Sequence, residues 1–214
     1  MVIRRIASAP PLRTTPSGTE EAVPDWSDQE LLAALANRDP RAGLALYDRL
    51  IRIVEWTISR VTGRRALDHE DLVQAAFEQI VVTLYRKRYA QSCSLTSWAS
   101  VISCHVALNA LRAQRRQRAL SAEAVAREAH PQLHSDAESQ LAARRALDGI
   151  RQELSRMNQE RAQVLVLHEV NGLELSEIAA ALGISVAAAQ SRLSRGRREL
   201  LERLQAGRDE TGVS

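Results

Sequence analysis

From residue 25 to about residue 118, apolar residues recur every three or four positions: Leu31, Leu32 and Leu35, then Leu44, Leu46, Leu50, Ile51, Val54 and Ile58. That is the spacing of one helix face, because an α-helix completes a turn in 3.6 residues. Ser27 followed by Glu30 has capping-box spacing and predicts where the first helix starts. A Pro and a Gly between Asn37 and Gly43 predict a turn, and the pattern breaks again at 62–68 and 88–94. After these breaks come two amphipathic runs, DHEDLVQAAFEQIVVTLYRK and SLTSWASVISCHVALNALRAQRRQR. The stretch predicts a bundle of four helices.

Residues 119–140 lose this periodicity. Pro131 forbids one continuous helix there, and Glu123, Glu128, Asp136 and Glu138 against Arg127 leave a net charge of −3. The segment reads as a flexible linker. Beyond it Leu147, Ile150, Leu154, Val164, Leu165 and Leu167 restore a helical pattern, closed by Asn171-Gly172. A short helix over 175–182 follows, capped by Ser176, with Ile178, Ala179 and Leu182 facing inward. Gly183-Ile184-Ser185 predicts a tight turn, and Ser185 caps a last helix from Val186 to Leu204. The predicted organisation is a disordered extension at 1–24, a helical domain at 25–118, the linker at 119–140, a second helical domain at 141–206 and a tail at 207–214.

Composition supports an all-α fold of two small helical domains. The 214 residues are 45% hydrophobic but only 3% aromatic, and Ala and Leu dominate the apolar set where a sheet would use β-branched and aromatic residues. Lys87 is the only lysine, so the formal charge of +3 rests on arginine, the better residue for bidentate phosphate and base contacts. Cys93 and Cys104 lack the spacing of a disulfide framework or zinc knuckle, which fits a reducing cytoplasm. No apolar run suits a signal peptide or membrane span. His130 and His134 flank Pro131, which disrupts a helical ligand pair, so no metal is expected. Without a Gly-rich phosphate loop or a nucleophile elbow, neither a cofactor nor an enzymatic activity is expected.

The most specific motif is LELSEIAAALGISVAAAQSRLSRGRREL, the pattern of a DNA-binding helix-turn-helix. In its last helix Val186, Ala189, Leu193 and Leu200 share one face, leaving Ala188, Gln190, Ser191, Arg192 and Arg195 for the major groove. The helix bearing Trp98 ends in Arg112, Arg115, Arg116 and Arg118. Alone it reads as a core Trp98 under a solvated basic end, although an aromatic beside polar residues and cations also suits unstacked bases. Asp68, Glu70, Asp71, Gln74 and Glu78, taken alone, read as a solvated helix face.

The order of these parts resembles the sigma-70 family of bacterial RNA polymerase sigma factors, in its small extracytoplasmic-function group. The resemblance rests on DHEDLVQAAF, the Trp-bearing helix ending in arginines, a polar linker, and a helix-turn-helix closing in SRLSRGRREL, over about residues 26–205. It implies a protein that binds core polymerase and directs promoter-specific initiation. Asp68, Asp71, Gln74 and Glu78 would dock on the β′ clamp helices, with the β subunit as a further contact. The loop over 85–95 and the helix carrying Trp98, His105, Asn109, Arg112, Arg115 and Arg116 would capture and melt the minus-10 element. Gln190, Ser191, Arg192, Ser194 and Arg195 would read minus-35 duplex. An anti-sigma regulator is implied as a further partner, and His105 takes the place of a common Asn. The alternatives are a helix-turn-helix regulator, or a sigma-mimicking interaction module that forms no holoenzyme.

Overall fold

The computed structural model describes residues 25–63, 68–124 and 138–211, and these are all-α. The first unit comprises α1 (Asp28–Ala36), α2 (Ala42–Thr62), α3 (His69–Tyr85) and α4 (Leu95–Ala124). The second comprises α5 (Glu138–Arg156), α6 (Gln159–Glu169), α7 (Leu175–Leu182) and α8 (Val186–Thr211).

Local chemistry sets the starts of these helices. Ser27 Oγ accepts from the Glu30 backbone N–H at 3.3 Å, and Glu30 Oε2 accepts from the Ser27 backbone N–H at 2.8 Å, which is the capping box predicted for α1. These bonds, the backbone one first, hold the Glu30 carboxyl below its ordinary range. Asp28 joins three helices. Its Oδ1 accepts from Arg49 of α2 at 2.9 Å, while its Oδ2 accepts from the Leu95 backbone N–H at 2.7 Å and so caps α4. Leu46, Leu50, Val54, Ile58 and Val61 form the buried stripe of α2, and Leu95, Ala99, Leu108 and Leu111 that of α4. Ser100 and Ser103 of α4 are buried too, and each donates to the carbonyl one turn back, at Thr96 and Ala99.

Several expectations need adjusting. Leu44, though in register with the stripe, is 55% exposed. Helix α4 continues to Ala124 and α8 to Thr211, past their expected ends; ALSAEA is rich in good helix formers, α8 runs on through Gly207, and a helix projecting beyond its bundle needs no apolar face. Both ends of the expected linker are therefore helical, as is most of the expected tail. Residues 1–24 and 125–137, with His130 and His134, lie outside the described residues. Ser176 is not a cap. The helix begins at Leu175, so Glu174 occupies the cap position and forms a reciprocal box with Glu177.

The two units share one apolar core. Leu154, Met157, Ala162, Val164, Leu167, Ile178 and Leu193 are continuous with the cluster of α2 and α4. Polar bonds stitch the same seam. Arg151 Nε of α5 donates to the Val61 carbonyl near the end of α2 at 3.2 Å, where a cation also suits the helix dipole. Asn171 Nδ2 donates to the buried Thr57 hydroxyl at 2.6 Å, and Gln163 Nε2 to the Val101 carbonyl at 3.2 Å.

Candidate functional site

The acidic surface lies on α3. Ala76 and Ile80 turn into the core, which leaves Asp71, Gln74 and Glu78 on the exposed side, with Asp68 exposed just before the helix. Gln74 Nε2 donates to Glu78 Oε1 at 3.0 Å, one turn away. Tyr47 of α2 is 47% exposed and lies 5.0 Å from the Phe77 ring, centroid to centroid, so an apolar margin borders the acidic row.

The basic surface begins with the loop between α3 and α4. Lys87 and Gln91 adopt positive φ, at 52° and 55°, a conformation uncommon for residues other than Gly. Tyr89 packs on Trp98 with ring centroids 4.8 Å apart and donates its hydroxyl proton to the Cys93 carbonyl. Burial pushes the Tyr89 hydroxyl up to about 12, so that proton stays in place at neutral pH. Trp98 itself is buried, at 7% exposure, and supports the loop from behind. Along α4, His105, Asn109 and Arg112 follow at helical spacing, with Arg115 and Arg116 exposed beyond them. Burial first, then the charge of Arg115, lowers the Arg112 pKa. Its Nη2 donates to the Met157 carbonyl at 3.2 Å, and its Nη1 is buried with no partner among the described residues.

The third surface is α8. Gly183 ends α7 at φ 66°, the left-handed conformation that a Cβ disfavours, and Ser185 Oγ accepts from the Ala188 backbone N–H at 3.1 Å to cap α8. Ala189 and Leu193 are buried, whereas Val186, expected on the same face, is 51% exposed because it sits on the first turn, short of the core. Gln190, Ser194 and Arg195 are exposed, and Ser191 and Arg192 half-buried. Gln190 Nε2 reaches Ser194 Oγ at 3.5 Å, and Arg192 pairs with Glu160 of α6 at 2.9 Å. Arg195 has no polar partner among the described residues. Arg197 pairs with Glu169 of α6 at 2.5 Å and Arg198 with Glu202 at 3.9 Å. A Cβ at Gly196 would stand 3.1 Å from the Arg161 carbonyl oxygen, so α8 lies almost backbone to backbone on α6.

Burial pushes both thiols up, with Glu177 and Asp28 adding to the effect at Cys93, and neither is an activated nucleophile. Among the described residues no cluster of His, Cys, Asp and Glu is arranged to hold a metal, and no helix is long and apolar enough to cross a membrane.

The sigma-70 region 2 profile matches residues 46–117, from α2 into α4, and the sigma-70 region 4 profile matches residues 147–200, from α5 into α8. The RNA polymerase sigma factor CarQ of Myxococcus xanthus is 30% identical over 159 residues, covering 74% of this chain and 87% of that one. The chain belongs to the sigma-70 family, in its extracytoplasmic-function group. A solved structure, that of CnrH in complex with the cytosolic domain of CnrY, superposes with a TM-score of 0.52 at 26% identity, covering 84% of this chain and 97% of that one. As a sigma factor the protein serves RNA polymerase in transcription initiation, and α7 and α8 are the DNA-binding helix-turn-helix of its region 4.

Sequence reasoning separated the three surfaces and missed what lies between them. His105 and Asn109 meet Gln159 of α6, Ser97 donates to Glu177 of α7 at 3.1 Å, and Ser92 donates to the Ala180 carbonyl at 3.0 Å. The available signal was slight: Gln159 and Gln163 stand one turn apart in α6, and Thr57 interrupts the apolar stripe of α2.

Proposed function

We propose that this sigma factor docks on core polymerase through Asp68, Asp71, Gln74 and Glu78, and selects promoters with α4 and α8. The acidic row and the apolar margin at Tyr47 and Phe77 suit the β′ clamp helices, with the β subunit as a second contact for region 4. The loop over 85–95 captures and melts the minus-10 element with His105, Asn109, Arg112, Arg115 and Arg116, while Trp98 fixes the loop that presents it. Unstacked bases need polar edges, and their phosphates need cations, and this helix supplies both. The minus-35 duplex is read by Gln190, Ser191, Arg192, Ser194 and Arg195. The segment over 119–140 joins two domains that separate on the polymerase, where it runs toward the RNA exit channel. The protein works in the cytoplasm beside its polymerase, under the control of an anti-sigma partner.

What carries this reading is the register of α8. Ala189 and Leu193 anchor the helix while Gln190, Ser194 and Arg195 stand free on the outer side, the division a recognition helix requires. The test is run-off transcription with purified core polymerase on a genomic promoter pool. Holoenzyme formation with transcripts from a restricted set of promoters is expected. A regulator without sigma activity, or a sigma-mimicking module, gives no holoenzyme and no open promoter.

A further inference from the structure

We propose that Asp28 of α1 is a positioning residue for minus-10 selection, tethering the loop over 85–95 from outside the helices that carry it. The inference rests on the assignment of that loop to the minus-10 strand. The loop is held at three places. At its start, the Lys87 and Arg88 N–H groups donate to the Leu84 and Thr83 carbonyls at the end of α3, at 2.9 and 3.1 Å. In its middle, Tyr89 packs on Trp98 and donates to the Cys93 carbonyl. At its end, the Leu95 N–H donates to Asp28 Oδ2 at 2.7 Å, across 67 residues of sequence. The first two holds come from α3 and α4 themselves, and the third from α1, which precedes the residues 46–117 matched by the region 2 profile.

That third bond does more than cap a helix. Ser94 already supplies a local cap for α4, its Oγ accepting from the Ser97 N–H at 3.1 Å. The Leu95 N–H is a further donor left over at the helix start, and Asp28 fastens it to a braced point. The brace is Arg49 of α2: its Nη1 donates to Asp28 Oδ1 at 2.9 Å, and its Nη2 to the Trp26 carbonyl two residues earlier. The Asp28 carboxylate also lies close enough to Tyr89 and Cys93 to add to the upward push on both, which places its charge at the loop. Between the holds, Lys87 and Gln91 keep positive φ, a shape maintained by the anchors rather than by local preference. Telling one unstacked base from another needs donors and acceptors fixed to about half an ångström. A loop end free to drift therefore loses discrimination before it loses affinity.

The test is run-off transcription by holoenzyme from templates that share one minus-35 element and are randomised across the minus-10 positions. The readout is the preference for the selected minus-10 sequence over its single-base variants, with the melting temperature of the free chain measured beside it. Asp28→Ala should reduce that preference roughly three- to tenfold, while binding to minus-35 duplex stays at the wild-type value. Asp28→Asn keeps one acceptor where two are needed, and should show a smaller loss of about two- to threefold. Glu30→Ala removes the carboxylate half of the α1 capping box and leaves both Asp28 bonds in place. It should lower the melting temperature and keep the minus-10 preference. Unchanged preference in Asp28→Ala overturns the proposal, and so does an equal loss in Glu30→Ala, which would assign the effect to the stability of α1. Should Asp28→Ala fail to fold, Asp28→Asn decides by the same comparison. If wild-type holoenzyme has no minus-10 preference to lose, the assignment of the loop fails first and the role of Asp28 falls with it.

Discussion

One polar row on α3 and one on α4 belong to the same four-helix unit and stand in opposite states. The row Asp71, Gln74, Glu78 on α3 is exposed, and the bond from Gln74 to Glu78 runs within the row itself. The row His105, Asn109, Arg112 on α4 is bonded to the α5–α6 turn. The face proposed for polymerase is open, and the face proposed for the promoter strand is occupied. Under the proposed assignments, docking through the open face needs no rearrangement, whereas access to the α4 row requires the α5–α6 turn to move.

The largest expected effect breaks the comparison at its open side. Asp71→Lys combined with Gln74→Ala should weaken binding to core polymerase by about ten- to a hundredfold, since reversing a charge turns attraction into repulsion at a complementary surface. Both side chains are exposed, so circular dichroism of the free chain should be unchanged. Unchanged affinity in titrations against core would return this row to plain solvation.

A somewhat smaller effect is expected on α8, where free and occupied groups again stand side by side. Arg195 is unpaired among the described residues, while Arg192 is held by Glu160. Arg195→Ala should cost matched minus-35 duplex about 1 to 3 kcal/mol of binding and scrambled duplex much less. Arg192→Ala should cost less at the matched site, because its wild-type contact with DNA requires giving up an ion pair. Binding isotherms over a salt range measure both, and equal losses on matched and scrambled duplexes would place base reading elsewhere on the helix.

The smallest effect concerns the support under α8. Burial raises the Glu199 pKa, but hydrogen bonds from Arg161, from the Asn158 backbone and from Arg203 outweigh it, leaving the carboxyl below its ordinary value of 4.5. A carboxyl depressed by folding contributes stability that is present above the unfolded value and is lost as pH falls through the folded one. Wild type should therefore lose thermal stability more steeply than Glu199→Gln below about pH 4.5, by roughly 2 to 4 °C in melting temperature. Parallel melting curves for the two proteins from neutral pH downward would remove Glu199 from the scaffold.

How far these features were legible depended on the range of the interactions behind them. The helix-turn-helix was readable because its signals are local: Gly183 for the turn, Ser185 for the cap, and Ala189 and Leu193 four residues apart for the anchoring face. The exposure of the acidic row was readable from its helical register, whereas its proposed docking role rests on the order of motifs around it, because carboxylates for a partner and carboxylates for water look alike in one sequence. The seam between the units was not readable. Its bonds join positions as far apart as Thr57 and Asn171, 114 residues in sequence, and they use polar side chains or backbone carbonyls that leave no periodic trace. Leu44 and Val186 illustrate the converse, since periodicity marks a face without saying how far along the helix its partner extends.

Gly196 has a consequence for how such a protein changes its targets. Because α8 rests on α6 through a backbone approach near this residue, the helix is pinned at a point beyond the residues proposed to face DNA. The exposed positions 190, 194 and 195 are therefore free to vary in chemistry while buried Leu193 and the axis that carries them stay fixed. Recognition residues can be exchanged as a cassette, and a new promoter preference can arise by substitution at the tip without rebuilding the joint.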